Sequence, residues 1–378
     1  ASGGTPSKAN SEFWGGEIPW VSFKDMYVDY VDDSIDRVTE LGSMNGTRLV
    51  RAGTILMAVR GMGLANYLPI AKTRTRVAFN QDIKALSISA DDVLQDYLFA
   101  ALRGFRENIR ELADEAAHGT KRLQTDRLED FVIPIPPISI QRQIIDVMTA
   151  FDDLIELNKQ RVKTLEEMAR VTFDEWFTYY RFPGGNGSKP TGWSESSVRP
   201  LILRIRAGCI YRKGDVLHDG AVPVIDQSTA EVLGFHDNQA DHVATPTNPL
   251  VIFGDHTCKM QLMLSEFSVG PNTVVFKSAT KHPLKFLYFL IQGLVETREY
   301  KRHWNDFMDK RITLPSLDVA DQFDKFVSPI FMLLDQLKLQ NANLRAQRDL
   351  LLPRLVSGQI DVSETNAILY DQTEVAAE

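Results

Sequence analysis

Two long amphipathic stretches dominate the pattern of apolar and polar positions along the chain. They begin within FVIPIPPISIQRQIIDVMTAFDDLIELNKQ (131–160) and RITLPSLDVADQFDKFVSPIFMLLDQLKLQ (311–340), where a short apolar run ends at proline before a helical pattern starts. The apolar residues then recur at intervals of three and four, which places them on one face of a helix. An offset of 179 positions superimposes the two stretches and brings Pro136 onto Pro315. The pattern predicts two long helices of similar design.

Each predicted helix carries a heptad seam that polar residues interrupt, and such interruptions often fix register and partner. A helix of roughly 38 residues would be about 57 Å long at 1.5 Å per residue. Two similar helices in one chain can pair with each other, and an antiparallel pairing would hold two attached modules apart. The predicted seam comprises Ile144, Val147, Phe151, Leu165, Phe323, Phe326, Ile330, Leu333, Leu337, Leu344 and Leu351.

The regions in front of the two helices repeat as well. The matching segments, in chain order, are GGEIPWVS (15–22) with DGAVPVID (219–226), TILMAV (54–59) with PLVIFG (249–254), KALSIS (84–89) with NTVVFK (272–277), and DYLFAALRGF (96–105) with KFLYFLIQGL (285–294). Strand-type segments that lead into a helical segment twice in the same order predict an α+β fold with an internal repeat. The expected architecture is two similar globular modules, each followed by a long helix, with a pseudo-twofold relation between the halves.

Composition shifts suggest where these parts begin and end. RFPGGNGSKPTGW (181–193) is rich in Gly, Pro and Ser and predicts a linker. The second module opens with a segment that has no counterpart ahead of Ala1, so we expect a short native N-terminal stretch to be missing. The predicted bounds are 1–132 for the first module, 133–180 for the central helix, 181–198 for the linker, 199–312 for the second module, 313–358 for the distal helix and 359–378 for a C-terminal tail.

Length and composition agree with a multidomain soluble protein. The chain has 378 residues with 44% apolar and 24% charged residues, which favours two or more domains. No window approaches the eighteen or so uninterrupted apolar residues of a membrane span. Two cysteines, Cys209 and Cys258, cannot form a disulfide framework, so we expect a reducing cytoplasm.

The net charge of −8 argues against indiscriminate binding to polyanions, but the charge is segregated along the chain. Residues 48–76 carry six Lys or Arg and residues 199–214 carry five, and neither segment contains an acid. A run of charge is usually a solvated face, so DNA contact is one of two open interpretations. The candidate DNA-binding residues are Arg48, Arg51, Arg60, Asn66, Lys72, Arg74, Arg76, Arg204, Arg206, Arg212, Lys213 and Lys259.

Catalytic motifs are not found in the sequence. GGNGSKPT near residue 184 only imitates a phosphate-binding loop and is more simply a linker. Only Asn248-Pro249-Leu250 approaches the Asn-Pro-Pro-Tyr tetrad of amino-methyltransferases. The adjacent Asp152 and Asp153 point to different helix faces and are expected to be solvated. Asp255 with Lys259 resembles part of a nuclease site but lacks a second positioned acid, so we expect a chain without catalysis of its own.

A metal site is the remaining chemical possibility. His236, His242, His256 and Cys258 fall within 23 residues, and imidazole with thiolate is a zinc-type donor set. Their spacing matches none of the usual ligand patterns. We therefore predict ordinary loop residues and no metal, and keep a metalloenzyme as a rival hypothesis.

Several segments resemble one known family, the DNA-specificity subunit of type I restriction–modification enzymes. GGTPSKANSEFWGGEIPWVSFKDM (3–26) is similar to the start of a target-recognition domain, and PTGWSESS (190–197) to the start of a second. IPIPPISIQRQIIDVMTAFDDLIELN (133–158) resembles the central spacer, and LLLPRLVSGQIDV (350–362) the end of the distal spacer. The match departs at residues 119–137, which have only a compressed equivalent in the second half.

The resemblance implies a function. Each recognition domain would read one half of a split DNA target, and the spacer helices would form an antiparallel coiled coil whose length sets the gap. The helices would dock methyltransferase subunits, and restriction or motor subunits would join the complex. S-adenosylmethionine, ATP and Mg would then belong to the partners, with no cofactor in this chain. The alternative is a non-catalytic coiled-coil scaffold without DNA recognition.

Overall fold

Two long helices are the largest elements of the computed structural model, which describes residues 1–115, 119–217, 220–228, 230, 232–297 and 301–362. Helix α5 (Ile138–Phe173) has 36 residues and α8 (Leu317–Val356) has 40. Most of the predicted tail at 359–378 lies outside the described residues. None of the described helices combines the length and apolar character needed to cross a membrane.

The chain divides into two units that share these helices. The first unit combines residues 1–155 with the part of the chain from Asn343 onward, and the second comprises Glu156–Ala342. Each long helix therefore contributes one segment to each unit.

The first unit is built from short strands and helices. Its strands are β1 (Trp14–Val21), β2 (Tyr30–Val31), β3 (Asp36–Val38), β4 (Arg48–Val50), β5 (Ile55–Ala58), β6 (Arg60–Gly61), β7 (Ile70–Thr73), β8 (Val77–Phe79), β9 (Ile83–Leu86), β10 (Asp114–Glu115) and β11 (Lys121–Arg122). Its short helices are α1 (Glu40–Met44), α2 (Gln95–Gly104), α3 (Arg106–Glu111) and α4 (Thr125–Glu129). The sheets have the orders β3-β1-β8-β4, β2-β7-β5-β9 and β10-β11-β6.

The second unit has a similar inventory. Its strands are β12 (Ser194–Ser197), β13 (Ile202–Ile205), β14 (Val222–Ile225), β15 (Gly234–His236), β16 (Leu250–Gly254), β17 (Met260–Met263), β18 (Ser268–Val269), β19 (Thr273–Ser278) and β20 (Arg311–Leu314). Its short helices are α6 (Leu284–Ile291) and α7 (Trp304–Met308), and a π-helical turn (Asp174–Thr178) follows α5. The sheets have the orders β12-β20, β13-β19-β16-β17 and β15-β14-β18.

Strand pairing shows the internal repeat. In the first unit β1 pairs antiparallel with β3 and parallel with β8, and in the second β14 pairs antiparallel with β15 and parallel with β18. Likewise β5 lies between antiparallel β7 and β9, as β16 lies between β17 and β19. Strands β5 and β16 are apolar along their whole length because both faces are buried. The prediction of an α+β fold with a repeated module is confirmed.

In the first unit, the two long helices pack antiparallel. Ile144, Val147 and Phe151 of α5 are buried in one apolar cluster with Leu352 and Leu355 of α8. Residues of α2 join the same cluster, so the helix pair forms part of the core of this unit. Burial of such large apolar side chains contributes about 1.5–3 kcal/mol each to stability.

In the second unit, the helices meet around an aromatic core. Phe323 of α8 contacts Phe173, Trp176 and Phe177 with ring centroids 5.7, 5.8 and 5.3 Å apart, all in edge-to-face arrangement. The π-helical turn carries Trp176 and Phe177, and such turns alter which side chains face a core. The aromatic cluster thus fixes the end of α5 on the beginning of α8.

Two predicted seam positions are wrong. Phe326 and Leu333 are 54% and 44% exposed, whereas Val327, Phe331 and Leu334 are buried. The segment 326–334 is apolar on several helix faces, so spacing alone allows two seams, and packing against the aromatic core selects the second. Of the other predicted positions, Phe323 and Leu337 are buried in the second unit, and those that pack partly buried against the two cores are Leu165, Ile330, Leu344 and Leu351.

Candidate nucleic-acid interface

Part of the basic charge in the first unit is already compensated. The ammonium group of Lys72 binds Asp96, and Arg76 binds Glu40. Arg74 lies 3.4 Å from Asp32 and also stacks 4.4 Å above the Tyr30 ring. These three candidates remain at the surface, but each shares its charge with a carboxylate from another part of the chain.

Other basic residues of this unit have no such partner. Arg51 and Arg60 are exposed, and neither forms an ion pair among the described residues. Arg48 is exposed and donates from Nε to the Ser2 carbonyl at 3.2 Å, which leaves the rest of its guanidinium open. Asn66 is exposed at the end of a 3₁₀ turn. These four are the stronger candidates for phosphate contacts.

Sequence inspection missed Arg122. It lies on β11 directly opposite Arg60 on β6, and both side chains are exposed. Like charges that face each other across a ladder destabilise a sheet, so their placement favours an anionic ligand. Asp114 faces Arg122 from the other neighbouring strand, but its carboxylate binds Arg127 at 2.9 Å. The signal was hidden because strand pairing joins residues that lie 62 positions apart.

The loop that contains Gly61 and Gly63 packs closely on aromatic side chains. A Cβ at Gly63 would lie 2.5 Å from the Phe23 ring and 2.6 Å from the Tyr27 hydroxyl. Glycine is required here because the loop packs directly on these aromatic side chains. Gly63 therefore has a packing role in this loop.

In the second unit, the loop 206–214 presents three unpaired cations. Arg206, Arg212 and Lys213 are exposed and form no ion pair with any residue that the structure describes. The nearby acids face backbone amides instead. Asp215 accepts from the Arg212 N–H at 2.8 Å, and Asp241 accepts from the Cys209 N–H at 3.0 Å.

The same loop is anchored rather than free. Its Tyr211 N–H donates to the Val269 carbonyl at 3.1 Å, and the Tyr211 ring stacks on His236 with centroids 4.1 Å apart. His242 Nε2 lies 3.0 Å from the Ala207 carbonyl, and burial lowers the pKa of this imidazole. A fixed backbone that carries three cations loses little entropy when it binds an anion.

The remaining two candidates of this unit differ from each other. Arg204 is exposed on the edge strand β13 and forms no ion pair in the described part of the chain. Lys259 instead donates from Nζ to the carbonyls of Asp226 and Ala230, at 3.3 and 2.5 Å. Because these bonds hold its ammonium group on the backbone, Lys259 has a structural role.

The predicted metal candidates do not converge. His236 accepts from the Asn238 N–H, and His256 Nδ1 lies 3.0 Å from the Lys301 carbonyl. Burial raises the pKa of the Cys258 thiol, which disfavours the thiolate that a metal would require. Among the described residues, no three potential ligands are grouped closely enough to hold a metal ion.

The two carboxylate candidates have structural partners. Asp255 accepts from the Trp304 N–H at 2.9 Å and is only 8% exposed, so it holds the start of α7. Asp152 was expected to be solvated, and this is wrong. Its side chain is 9% exposed and binds Arg103 at 3.1 Å and Arg348 at 2.6 Å. Sequence could not show this because the partners lie 49 and 196 positions away.

The helix pair in the second unit has an apolar groove of about 520 Å³. Leu157 and Leu333, each 44% exposed, lie on its two walls. Next to Leu157 in the chain, Asn158 is buried and donates to Gln340 and Asn341 at 3.1 and 3.0 Å. The helix pair of this unit thus combines a buried polar contact with apolar surface that solvent still reaches.

Comparison with known proteins finds one matching family model and several similar specificity subunits. Residues 1–167 match the type I restriction modification DNA specificity domain. The type I restriction enzyme MjaIX specificity subunit of Methanocaldococcus jannaschii is 26% identical over 96% of this chain and 91% of its own length. The EcoR124I/EcoR124II specificity subunit of Escherichia coli is 35% identical over 40% of this chain and 38% of its own length.

A solved structure is also similar over most of the chain. The S subunit of a type I restriction-modification system from M. genitalium covers 91% of this chain and 94% of its own, with 13% identity and a TM-score of 0.45. The matched domain and the relatives support a specificity subunit rather than a catalytic one. Residues 1–167 thus carry the type I restriction modification DNA specificity domain, and nearly the whole chain is similar to a type I restriction enzyme specificity subunit.

Proposed function

We propose that this chain is the sequence-specific DNA-binding subunit of a type I restriction–modification complex. Each module recognises one half of a bipartite target, and the long helices set the gap between the halves. The repeated strand order of the two units is the observation that carries this proposal. A protein with two copies of one module is suited to a target with two specified parts.

The distribution of unpaired cations supports DNA as the ligand. Each unit presents exposed arginines that have no acidic partner among the described residues, with Arg60 and Arg122 in the first and Arg206 and Arg212 in the second. Phosphate contacts position a protein on a duplex, and base-edge contacts then specify the sequence. The net negative charge of the chain is compatible with sequence-specific binding, because a strong positive field would favour binding to non-specific DNA sites.

We further propose that the helix pair docks methyltransferase subunits. The groove between Leu157 and Leu333 offers apolar surface for that contact. The partners would supply S-adenosylmethionine for methylation, and restriction subunits would supply ATP and Mg chemistry. The cytoplasm remains the predicted compartment.

The decisive experiment maps methylation by the reconstituted complex. DNA is treated with this chain and its co-encoded methyltransferase subunit, and modified adenines are located by single-base sequencing. We expect a motif of two short specified halves around a fixed unspecified gap. Methylation without a split motif, or methylation that does not depend on this chain, would favour the scaffold hypothesis.

A further inference from the structure

A buried cluster of two arginines and two aspartates joins three elements of the first unit. Arg348 of α8 lies 2.6 Å from Asp152 of α5 and 2.7 Å from Asp29, which precedes β2. Arg103 of α2 lies 3.1 Å from each of the same aspartates. Each carboxylate therefore contacts both guanidinium groups. At the edge of the cluster, Arg106 lies 3.9 Å from Asp29 and Asp349 lies 2.9 Å from Arg348, and the formal charges cancel with or without this outer pair.

The four side chains are removed from solvent to different degrees. Arg103, Arg348 and Asp152 are 3%, 6% and 9% exposed, and Asp29 is 24% exposed. Arg103 approaches Asp29 without hydrogen-bond geometry, so that contact is coulombic, whereas Arg348 donates to both carboxylates. The Tyr30 hydroxyl adds a further hydrogen bond to Asp152 at 3.0 Å.

The cluster connects the module to both helices. Asp29 and Arg103 belong to the first module, defined as residues 1–132, while Asp152 and Arg348 belong to the helices. Directly beside Arg103, a Cβ on Gly104 would lie 2.6 Å from Val356, so the backbone of α2 touches α8. There is little room for the module to turn on the helix pair.

Ionic contacts of this kind favour one arrangement more than they add stability. A buried ion pair recovers little more than its own desolvation cost, whereas removal of one partner leaves an uncompensated charge. Four contacts among four side chains are satisfied together at one placement of α2 on the helices. A slip of the module would break at least two of them.

The second unit uses a different contact at its corresponding junction. The side chain of Lys285 on α6 is 5% exposed, donates to Ser328 of α8 at 3.0 Å and lies 3.7 Å from Asp324. This contact between one lysine of α6 and two side chains of α8 differs from the cluster of two arginines and two aspartates in the first unit. The cluster is therefore a feature of the first junction and not a general property of the repeated module.

We propose that Asp29, Arg103, Asp152 and Arg348 are positioning residues that set the angle of the first module on the helix pair. This angle determines where the first half-site must lie along the duplex. The inference rests on the proposed function, because it concerns the gap between two half-sites. A change of one base pair in the gap turns one half-site by about 35° and moves it by about 3.4 Å.

The test uses the full chain in complex with its methyltransferase subunit. Methylation rates are measured on duplexes with the native gap and with gaps one base pair shorter or longer, for wild type, Arg348→Met, Asp29→Asn and the double variant. We expect each single variant to lower the discrimination between native and altered gaps about tenfold. The double variant should lower it little further, because both changes disrupt one cluster.

A loss of stability alone would not alter this ratio. Ile83→Ala, which opens a cavity in the core of the same module, serves as the control and should lower thermal stability while gap discrimination is kept. Arg348→Lys, which retains the charge but not the planar fork, should recover part of the discrimination.

Two different results would contradict, respectively, the proposed function and the positioning role of the cluster. If the wild-type complex methylates all gaps equally, the proposed function is wrong. If it discriminates, and Arg348→Met discriminates equally well or Ile83→Ala loses as much, the positioning role is wrong.

Discussion

Lys72, Arg74 and Arg76 lie in a segment without acids, yet each binds a carboxylate that the fold brings from elsewhere. The sequence therefore identified where cations are concentrated but not which of them are available. Asp96 comes from α2, about twenty positions from the nearest of these cations, and neither periodicity nor charge counting predicts such a pairing. Basic residues therefore indicate a DNA-binding surface only once it is known which of them already form ion pairs within the protein.

The salt dependence of DNA binding should separate available from compensated cations. Arg212→Ala with Lys213→Ala removes two unpaired charges, and the slope of log affinity against log salt should fall by about two. Arg199→Ala with Arg311→Ala removes two charges of the same unit that bind Asp309 and Glu195, and the slope should change little. Titration of the complex with its target duplex at several salt concentrations gives both slopes. Equal losses from the two double variants would contradict the assignment.

Asp29 should make the stability of the first unit sensitive to acid. Burial alone would raise the pKa of Asp29, but Arg103 and Arg348 outweigh it and hold the pKa below the usual 3.8. A carboxyl with a depressed pKa stabilises the fold above its unfolded value, and this contribution is lost as the pH falls through the folded value. Since Asp29 is 24% exposed, we expect Asp29→Asn to cost about 3 kcal/mol near neutral pH, the low end for a broken buried pair.

This difference between wild type and Asp29→Asn should shrink as the pH is lowered below 3.8. Urea denaturation at a series of pH values measures it. Asp153→Asn, at an exposed position of α5, provides the control and should change the free energy of unfolding little. A difference in the free energy of unfolding between wild type and Asp29→Asn that grows in acid would contradict this prediction.

At the scale of elements, the sequence predicted both long helices, but it predicted only some of the residues through which they pack. Ile144, Val147 and Phe151 lie in the core as their spacing predicts. Phe326 and Leu333 do not, because α8 is apolar on more than one face and only the partner surface selects among them. Strand order was predictable to the extent that the repeat was visible, while short strands such as β6 and β11 carry no pattern of their own.

Two kinds of substitution at the buried contact between Asn158 and Asn341 should have opposite effects on the stability of the helix pair. Asn158→Ala removes donors to Gln340 and Asn341 and should lower the free energy of unfolding by about 1–3 kcal/mol. Replacement of both Asn158 and Asn341 by Leu removes the polar groups together and should restore stability to the wild-type value or above it. Chemical denaturation of the three proteins measures the order, and a double variant less stable than Asn158→Ala would contradict it.

At the scale of the whole molecule, the repeat predicts that specificity is divisible. A chimera in which residues 1–132 are replaced by the matching module of a type I restriction enzyme specificity subunit should recognise a target with one new half and one unchanged half. Methylation mapping of the chimera and both parents checks this. Changes in both halves would show that the modules do not act separately.

The first unit is assembled from both ends of the chain, since residues 1–155 close with the segment from Asn343 onward. During synthesis, Asp29 and Asp152 leave the ribosome long before Arg348 does. At roughly 5–20 residues per second, about ten to forty seconds separate the two parts of this unit. The second unit is continuous in sequence and is synthesised within that interval, so it is complete before the last segment of the first unit appears. The first module is therefore synthesised first but completed last. Until the last segment is synthesised, the apolar face of its helix stays uncovered, and the nascent chain must avoid aggregation through that face.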